Sequence, residues 1–157
     1  MKYLVVAVIV IFLLLLGGYG LLWFLSGPVF YRRRVNDDLT KFFEELLTSI
    51  YETGYLVIMA PNKQRLVQFR RYKQNEKAAL RFDFPKVPGY EQYYELLKKI
   101  LTEQSVDYQI TSDEKSVSYV TVDLRDDWVR ATDLAKMVLL DVLKLRPEDT
   151  IKIAFGK

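Results

Sequence analysis

From Tyr3 to Leu25 the chain reads YLVVAVIVIFLLLLGGYGLLWFL, without one charged side chain. A helix of about 23 residues rises roughly 34 Å. That is enough to cross a hydrocarbon core ~30 Å thick with some tilt. The run therefore divides the chain: residues 1–31 are expected to form a transmembrane anchor with its interface, and residues 32–157 a single soluble α+β domain. A cleaved signal peptide is the alternative. Against it, the run is longer than a usual signal core, and its exit, Ser26-Gly27-Pro28-Val29, offers a poor cleavage site with a proline beside it. Trp23 and Tyr31 fit an interfacial aromatic belt, and Arg32, Arg33 and Arg34 fit topology determinants. Three arginines after the span, against Lys2 and the α-amino group before it, favour a cytoplasmic body. Gly17, Gly18 and Gly20 do not make the small-xxx-small repeat of a helix dimer.

Beyond the anchor the composition is ordinary. The chain has 23 Lys and Arg against 20 Asp and Glu, and Lys2 is the only charged side chain before Arg32. That balance lacks the domain-wide basic excess of a nucleic-acid binder. The length suits one core. Cysteine is absent, so there is no disulfide framework.

Periodicity predicts the order α-β-β-β-α-β-β-α-β. Asn36-Asp37-Asp38 reads as a cap for a helix carrying Leu39, Phe42, Phe43, Leu46, Leu47 and Ile50 on one stripe, with Gly54 ending it. Strands are expected over 55–60, 65–72 and 78–84, joined as an antiparallel meander. A second helix spans 90–104. Val106, Tyr108 and Ile110 alternate, as do Val120, Val122 and Leu124. Asp126-Asp127 caps a third helix with Trp128, Ala131, Leu134, Ala135, Val138, Leu139 and Val142 on its stripe, stopped by Pro147. Residues 150–155 read as a last strand. Helices separated by hairpins argue for α+β with an antiparallel sheet, one face taking the helices and the other meeting water or a partner.

The residue inventory narrows the chemistry. Without histidine or cysteine there are no His-based triads, thiol nucleophiles or ordinary zinc sites. Gly54, Gly89 and Gly156 are too scattered to build a phosphate-cradling loop. The acidic pairs Asp37-Asp38 and Asp126-Asp127 sit at helix starts, where capping explains them. Asp113-Glu114 lies in a hairpin turn and lacks calcium-loop spacing. A carboxylate hydrolase would need those acids to converge in one cleft. The expectation is a chain that is not an enzyme and holds no cofactor or metal.

Two groups suit binding. Arg65, Arg70, Arg71, Lys73, Lys77 and Arg81 cluster on one expected hairpin with Tyr72 among them. They fit anionic headgroups or an acidic partner, or simply a solvated, aggregation-resistant sheet. Tyr90, Tyr93 and Tyr94 open the second helix, and an exposed tyrosine cluster would suit a protein interface.

At Gly54-Tyr55-Leu56-Val57-Ile58, followed by Arg65-Leu66-Val67-Gln68-Phe69, the chain resembles the type III secretion chaperone-like superfamily. It is most similar there to the branch of bacterial sensory transduction regulator domains. The resemblance covers about residues 36–143, in a leading helix, a "GYL" first strand, a "VQF" second strand and the same element order through the third helix. It implies a domain that binds other polypeptides and dimerises, with no catalytic residues. The anchor and the strand over 150–155 depart from that pattern.

The resulting expectation is a non-catalytic, single-pass protein of the bacterial inner membrane. Its domain is a protein-binding module, an accessory or assembly subunit of a larger membrane complex. Its expected partners are the bilayer through residues 3–25, another membrane protein and a second copy of itself. The alternative is a peripheral binder of anionic lipid or nucleic acid through the basic hairpin.

Overall fold

A computed structural model describes residues 28–50, 53–61, 66–114 and 116–156. The apolar run with Trp23, and Arg65, lie outside the described residues. Among the described residues no helix is long and apolar enough to cross a membrane.

The elements follow in the order β1 (Val29–Arg34), α1 (Thr40–Thr48), β2 (Gly54–Met59), β3 (Val67–Gln74), β4 (Lys77–Pro85), α2 (Glu91–Glu103), β5 (Gln109–Ser112), β6 (Ser118–Arg125), α3 (Trp128–Met137) and β7 (Thr150–Gly156). A π-helical turn, Val138–Val142, extends α3. One antiparallel sheet holds all seven strands in the order β1-β7-β2-β3-β4-β6-β5. The fold class is α+β, with three helices on one face.

Alternation along the strands makes that face. Leu56, Ile58, Val67, Phe69, Leu80, Phe82, Phe84, Val120, Val122, Ile151 and Ile153 are all buried in one cluster with the apolar stripes of the helices. Phe43 of α1 meets Phe69 edge-on at 4.6 Å, Phe69 meets Phe82 at 5.2 Å, and Phe82 meets Phe84 at 6.3 Å. Each such ring removed from water contributes about 1.5–3 kcal/mol. The file of phenylalanines across β3 and β4 therefore pins the register of the central hairpin.

Several expectations need correction. Val29–Arg34, read as interface residues and topology charges, form an edge strand paired to β7, with Tyr31 packed on Phe42 at 5.0 Å. Strand pairing among the described residues thus begins at Val29. The run of arginines had hidden the strand's alternation: Arg32 and Arg34 lie on one face and Arg33 on the other, over the rings of Tyr31 and Phe42.

The first helix is shorter than its apolar pattern. It ends at Thr48, Ile50 is 91% exposed, and Gly54 opens β2 instead of ending α1. A Cβ at Gly54 would approach Leu46 Cδ1 to 3.0 Å, so close packing rather than a helix cap accounts for glycine there. Trp128 lies 37% exposed rather than on the buried stripe. Val106 and Tyr108 precede β5, and the Val106 N–H donates to Leu101 O at the end of α2. Strand β7 is an interior strand, paired between β1 and β2 rather than added at an edge.

Candidate functional site

The face of the sheet opposite the helices carries no covering element among the described residues. Its central row runs across all seven strands as Phe30, Ala154, Val57, Gln68, Asp83, Thr121 and Gln109. The adjacent row is Gly156, Tyr55, Arg70, Arg81 and Asp123. Arg32, Arg34, Lys152 and Lys77 share this face by register. Among the described residues it thus bears six cations (Arg32, Arg34, Arg70, Lys77, Arg81, Lys152) and two carboxylates (Asp83, Asp123). The other residues of the chain then hold 17 cations and 18 acids, from totals of 23 and 20. Among the described residues, the excess of positive charge lies on the open face.

Asp83 is the centre of that face. It is 3% exposed, on a strand flanked on both sides. Arg70 and Arg81 face each other across β3 and β4, and both reach it: Arg70 Nε lies 3.3 Å from Oδ2 and Arg81 Nε 3.2 Å from Oδ1. The Thr121 hydroxyl donates to Oδ1 at 3.1 Å and lies 2.8 Å from the Thr111 hydroxyl. Two like charges directly opposed on neighbouring strands repel. Here one desolvated carboxylate between them offsets that repulsion and is itself satisfied. Among the described residues no buried side-chain polar atom lacks a partner.

Aromatic side chains surround the cluster. Tyr55 lies across Gly156, and Lys152 Nζ sits 4.4 Å from the centroid of the exposed Phe30 ring. Tyr72 donates to Asp123 Oδ1 at 2.7 Å. Burial, then the hydrogen bond to Asp123 and its negative charge, push the Tyr72 phenol up to about 12. Tyr119 donates to Asp113 at 3.1 Å, and burial followed by that bond raises its phenol as well.

A cleft of about 900 Å³ opens beside this row, between the β5–β6 edge and the start of α3. Arg81, Arg125 and Arg130 line it together with Asp107, Asp123, Asp126 and Asp127. The Asp127 carboxylate is engaged as a cap, accepting from Arg130 N at 2.8 Å. At the other helix start, Asp37 accepts from Arg34 N at 2.8 Å and Asp38 from Thr40 N at 2.9 Å. The hydrogen bonds to Thr40 hold the Asp38 carboxyl below its ordinary range. No three Asp or Glu residues converge as a metal site among the described residues.

The residues singled out in the sequence are distributed unevenly. The basic hairpin divides by strand alternation. Arg70 and Arg81 lie on the open face, while Arg71 turns to the helix side and donates to Leu47 O at 3.1 Å, closing the end of α1. Of the tyrosines, Tyr94 is buried beneath Lys86 and Lys98, at 5.5 and 5.6 Å from its ring centre. Burial raises its phenol. Tyr90 and Tyr93 remain half-buried, their rings 5.7 Å apart. An exposed three-tyrosine patch is therefore not formed.

Asp83, Thr121 and Tyr55 were missed as a site. The available signal was the single acid within the otherwise apolar and basic strand KAALRFDFP. No family model, curated protein or solved structure matches the chain.

Proposed function

We propose that this chain is a non-catalytic protein-binding module tethered to a membrane by its apolar N-terminal run, acting as an accessory or assembly subunit of a larger complex. The observation that carries the reading is the uncovered sheet face, with Phe30, Tyr55 and Val57 beside the Arg70–Asp83–Arg81 cluster. Aromatic rings and arginines around a small apolar strip are the composition that protein interfaces favour. Tethering adds effective concentration, because a partner in the same membrane is met in two dimensions. The likeness to chaperone-like polypeptide binders at the "GYL" and "VQF" strands agrees with this use of the sheet, in a single-pass protein of the bacterial inner membrane.

The test is a photo-crosslinking amino acid at Val57 of the full chain, expressed in its native membranes, with a second at Asp133 on the exposed side of α3. The reading expects one dominant crosslinked polypeptide from position 57, weak or absent from 133, and lost in a Tyr55→Glu variant that still folds. Equal crosslinking from both positions, or none from 57, would refute it.

A further inference from the structure

The register of the sheet fixes which end of the domain adjoins the apolar run. Val29, the first residue of β1, is level with Phe155, Leu56, Phe69 and Phe82. Strands β1 and β2 start at this end of the sheet, and β3, β6 and β7 finish there. The β3–β4 hairpin continues past that level from Phe69 to Gln74, roughly 17 Å at the rise of a strand. Only Ser26-Gly27-Pro28 separates the apolar run from β1, a link of at most ~10 Å. The hairpin is longer than the link. A domain joined to a bilayer by so short a tether brings this hairpin to the lipid surface.

The chemistry of this end suits that position. Between residues 70 and 81 the hairpin carries Arg70, Arg71, Lys73, Lys77 and Arg81 with Glu76 as its one acid; Arg70 and Arg81 are held on Asp83 and Arg71 on Leu47 O, which leaves the two lysines to face outward. Lys73 and Lys77 are the exposed cations nearest its tip. Ile50 follows α1 at the same end, as the Arg71–Leu47 hydrogen bond shows, and is the most exposed large apolar residue described. Acids stand at both ends, Asp126 in a cleft beside Gln74 and Lys77 at this one and Asp113 and Glu114 in the β5–β6 turn at the other, but the exposed lysines of the hairpin tip project past Asp126.

We propose that the β3–β4 hairpin, with Ile50 beside it, is a second membrane contact that docks on anionic lipid headgroups and fixes the tilt of the domain. The inference rests on the reading that residues 3–25 enter a bilayer. Each lysine near an anionic surface adds attraction that decays within a Debye length, while an exposed isoleucine gains by entering the interfacial layer. Docking at this end leaves the row through Asp83 above the lipid, where a protein partner can reach it.

The chain has no cysteine, so single labels report cleanly. The full chain would carry a fluorophore at Gln74→Cys, near the hairpin tip, or at Glu114→Cys, at the far end. It would be reconstituted in vesicles of phosphatidylcholine alone or mixed with phosphatidylglycerol, both containing a headgroup-attached quencher. The expected result is at least about threefold stronger quenching at 74 than at 114 in anionic vesicles, reduced in neutral vesicles and in high salt. Lys73→Glu/Lys77→Glu should lower it to the neutral-lipid level. Equal quenching at 74 and 114, or quenching at 74 indifferent to lipid charge, would overturn the hairpin contact. Flotation of the same samples separates the two readings. Chain that floats with an unquenched label at 74 overturns the hairpin contact alone, whereas chain that fails to float overturns the anchor itself.

Discussion

The ring of Tyr55 on β2 fills the space that a Cβ on its cross-strand partner, Gly156 of β7, would need. Glycine within a strand ordinarily weakens it by leaving nothing to pack. Here the neighbouring aromatic ring supplies the missing surface, a device known to rescue glycine in sheets. Gly156→Ala should therefore push aside the phenol end of Tyr55, which is partly exposed and can swing, at a cost of about 0.5–1.5 kcal/mol. Urea unfolding measures it. In a double-mutant cycle with Tyr55→Ala, the coupling should exceed ~0.5 kcal/mol. Additive effects would show that the ring moves aside freely.

The Arg70–Asp83–Arg81 cluster makes an asymmetric prediction. Removing the carboxylate leaves two half-exposed arginines facing each other, which water can solvate. Asp83→Asn should therefore cost about 1–3 kcal/mol. Removing both arginines leaves a buried carboxylate uncompensated, so Arg70→Met/Arg81→Met should cost more, about 3–5 kcal/mol. Chemical denaturation of the two variants gives the order. A double-arginine variant as stable as Asp83→Asn would mean that water already solvates the carboxylate.

How far the fold was legible depended on whether local pattern and tertiary contact agreed. The β2–β3–β4 meander and the stripe through Ala131, Leu134, Ala135 and Val138 were readable because alternation and helical spacing match the buried face. Strand β1 was not, since Arg32, Arg33 and Arg34 show no apolar alternation and its pairing comes from β7, more than a hundred residues later. Ile50 misled in the opposite sense. It continues the α1 spacing, yet the backbone leaves the helix at Ser49, with ψ 141°. The acid of the candidate site was visible as Asp83, but its partners Arg70 and Thr121 come from different strands and needed the register.

Alkaline pH offers a specific probe of Tyr72. Its phenol is raised from 10.0 to about 12, first by burial and then by Asp123, with Arg81 and Arg125 acting in the opposite direction. A group whose pKa is higher in the folded state favours folding fully below its unfolded pKa, and that contribution is lost as pH rises through the folded value. Stability should therefore fall between pH 10 and 12. A single group contributes at most about 1.4 kcal/mol per pH unit, and less here because the ring is partly solvated. Tyr72→Phe should have a shallower fall over this window. The raised phenols of Tyr94 and Tyr119 are common to both proteins, so the difference isolates Tyr72. Parallel unfolding-midpoint profiles of parent and variant would contradict the assignment.

The hairpin turn itself holds the last expectation. Asn75 and Glu76 connect β3 and β4 with φ of 49° and 65°, the two positive values of a type I′ turn. Asparagine tolerates that region, but a glutamate pays for its Cβ there. The second position of such turns prefers glycine for this reason. Glu76→Gly should relieve the strain, partly offset by the greater freedom of glycine in the unfolded chain, for a net gain of about 0.5–1 kcal/mol. Glu76→Ala, which keeps the Cβ and removes the carboxylate, separates backbone from charge. A gain from glycine but not from alanine in thermal unfolding places the strain in the backbone. Equal gains would place it instead in the repulsion or desolvation of the acid. Either glycine or alanine also removes the only acid in the sequence from residue 70 to residue 81, so both variants should bind anionic vesicles more tightly than the parent, by an amount that shrinks with salt.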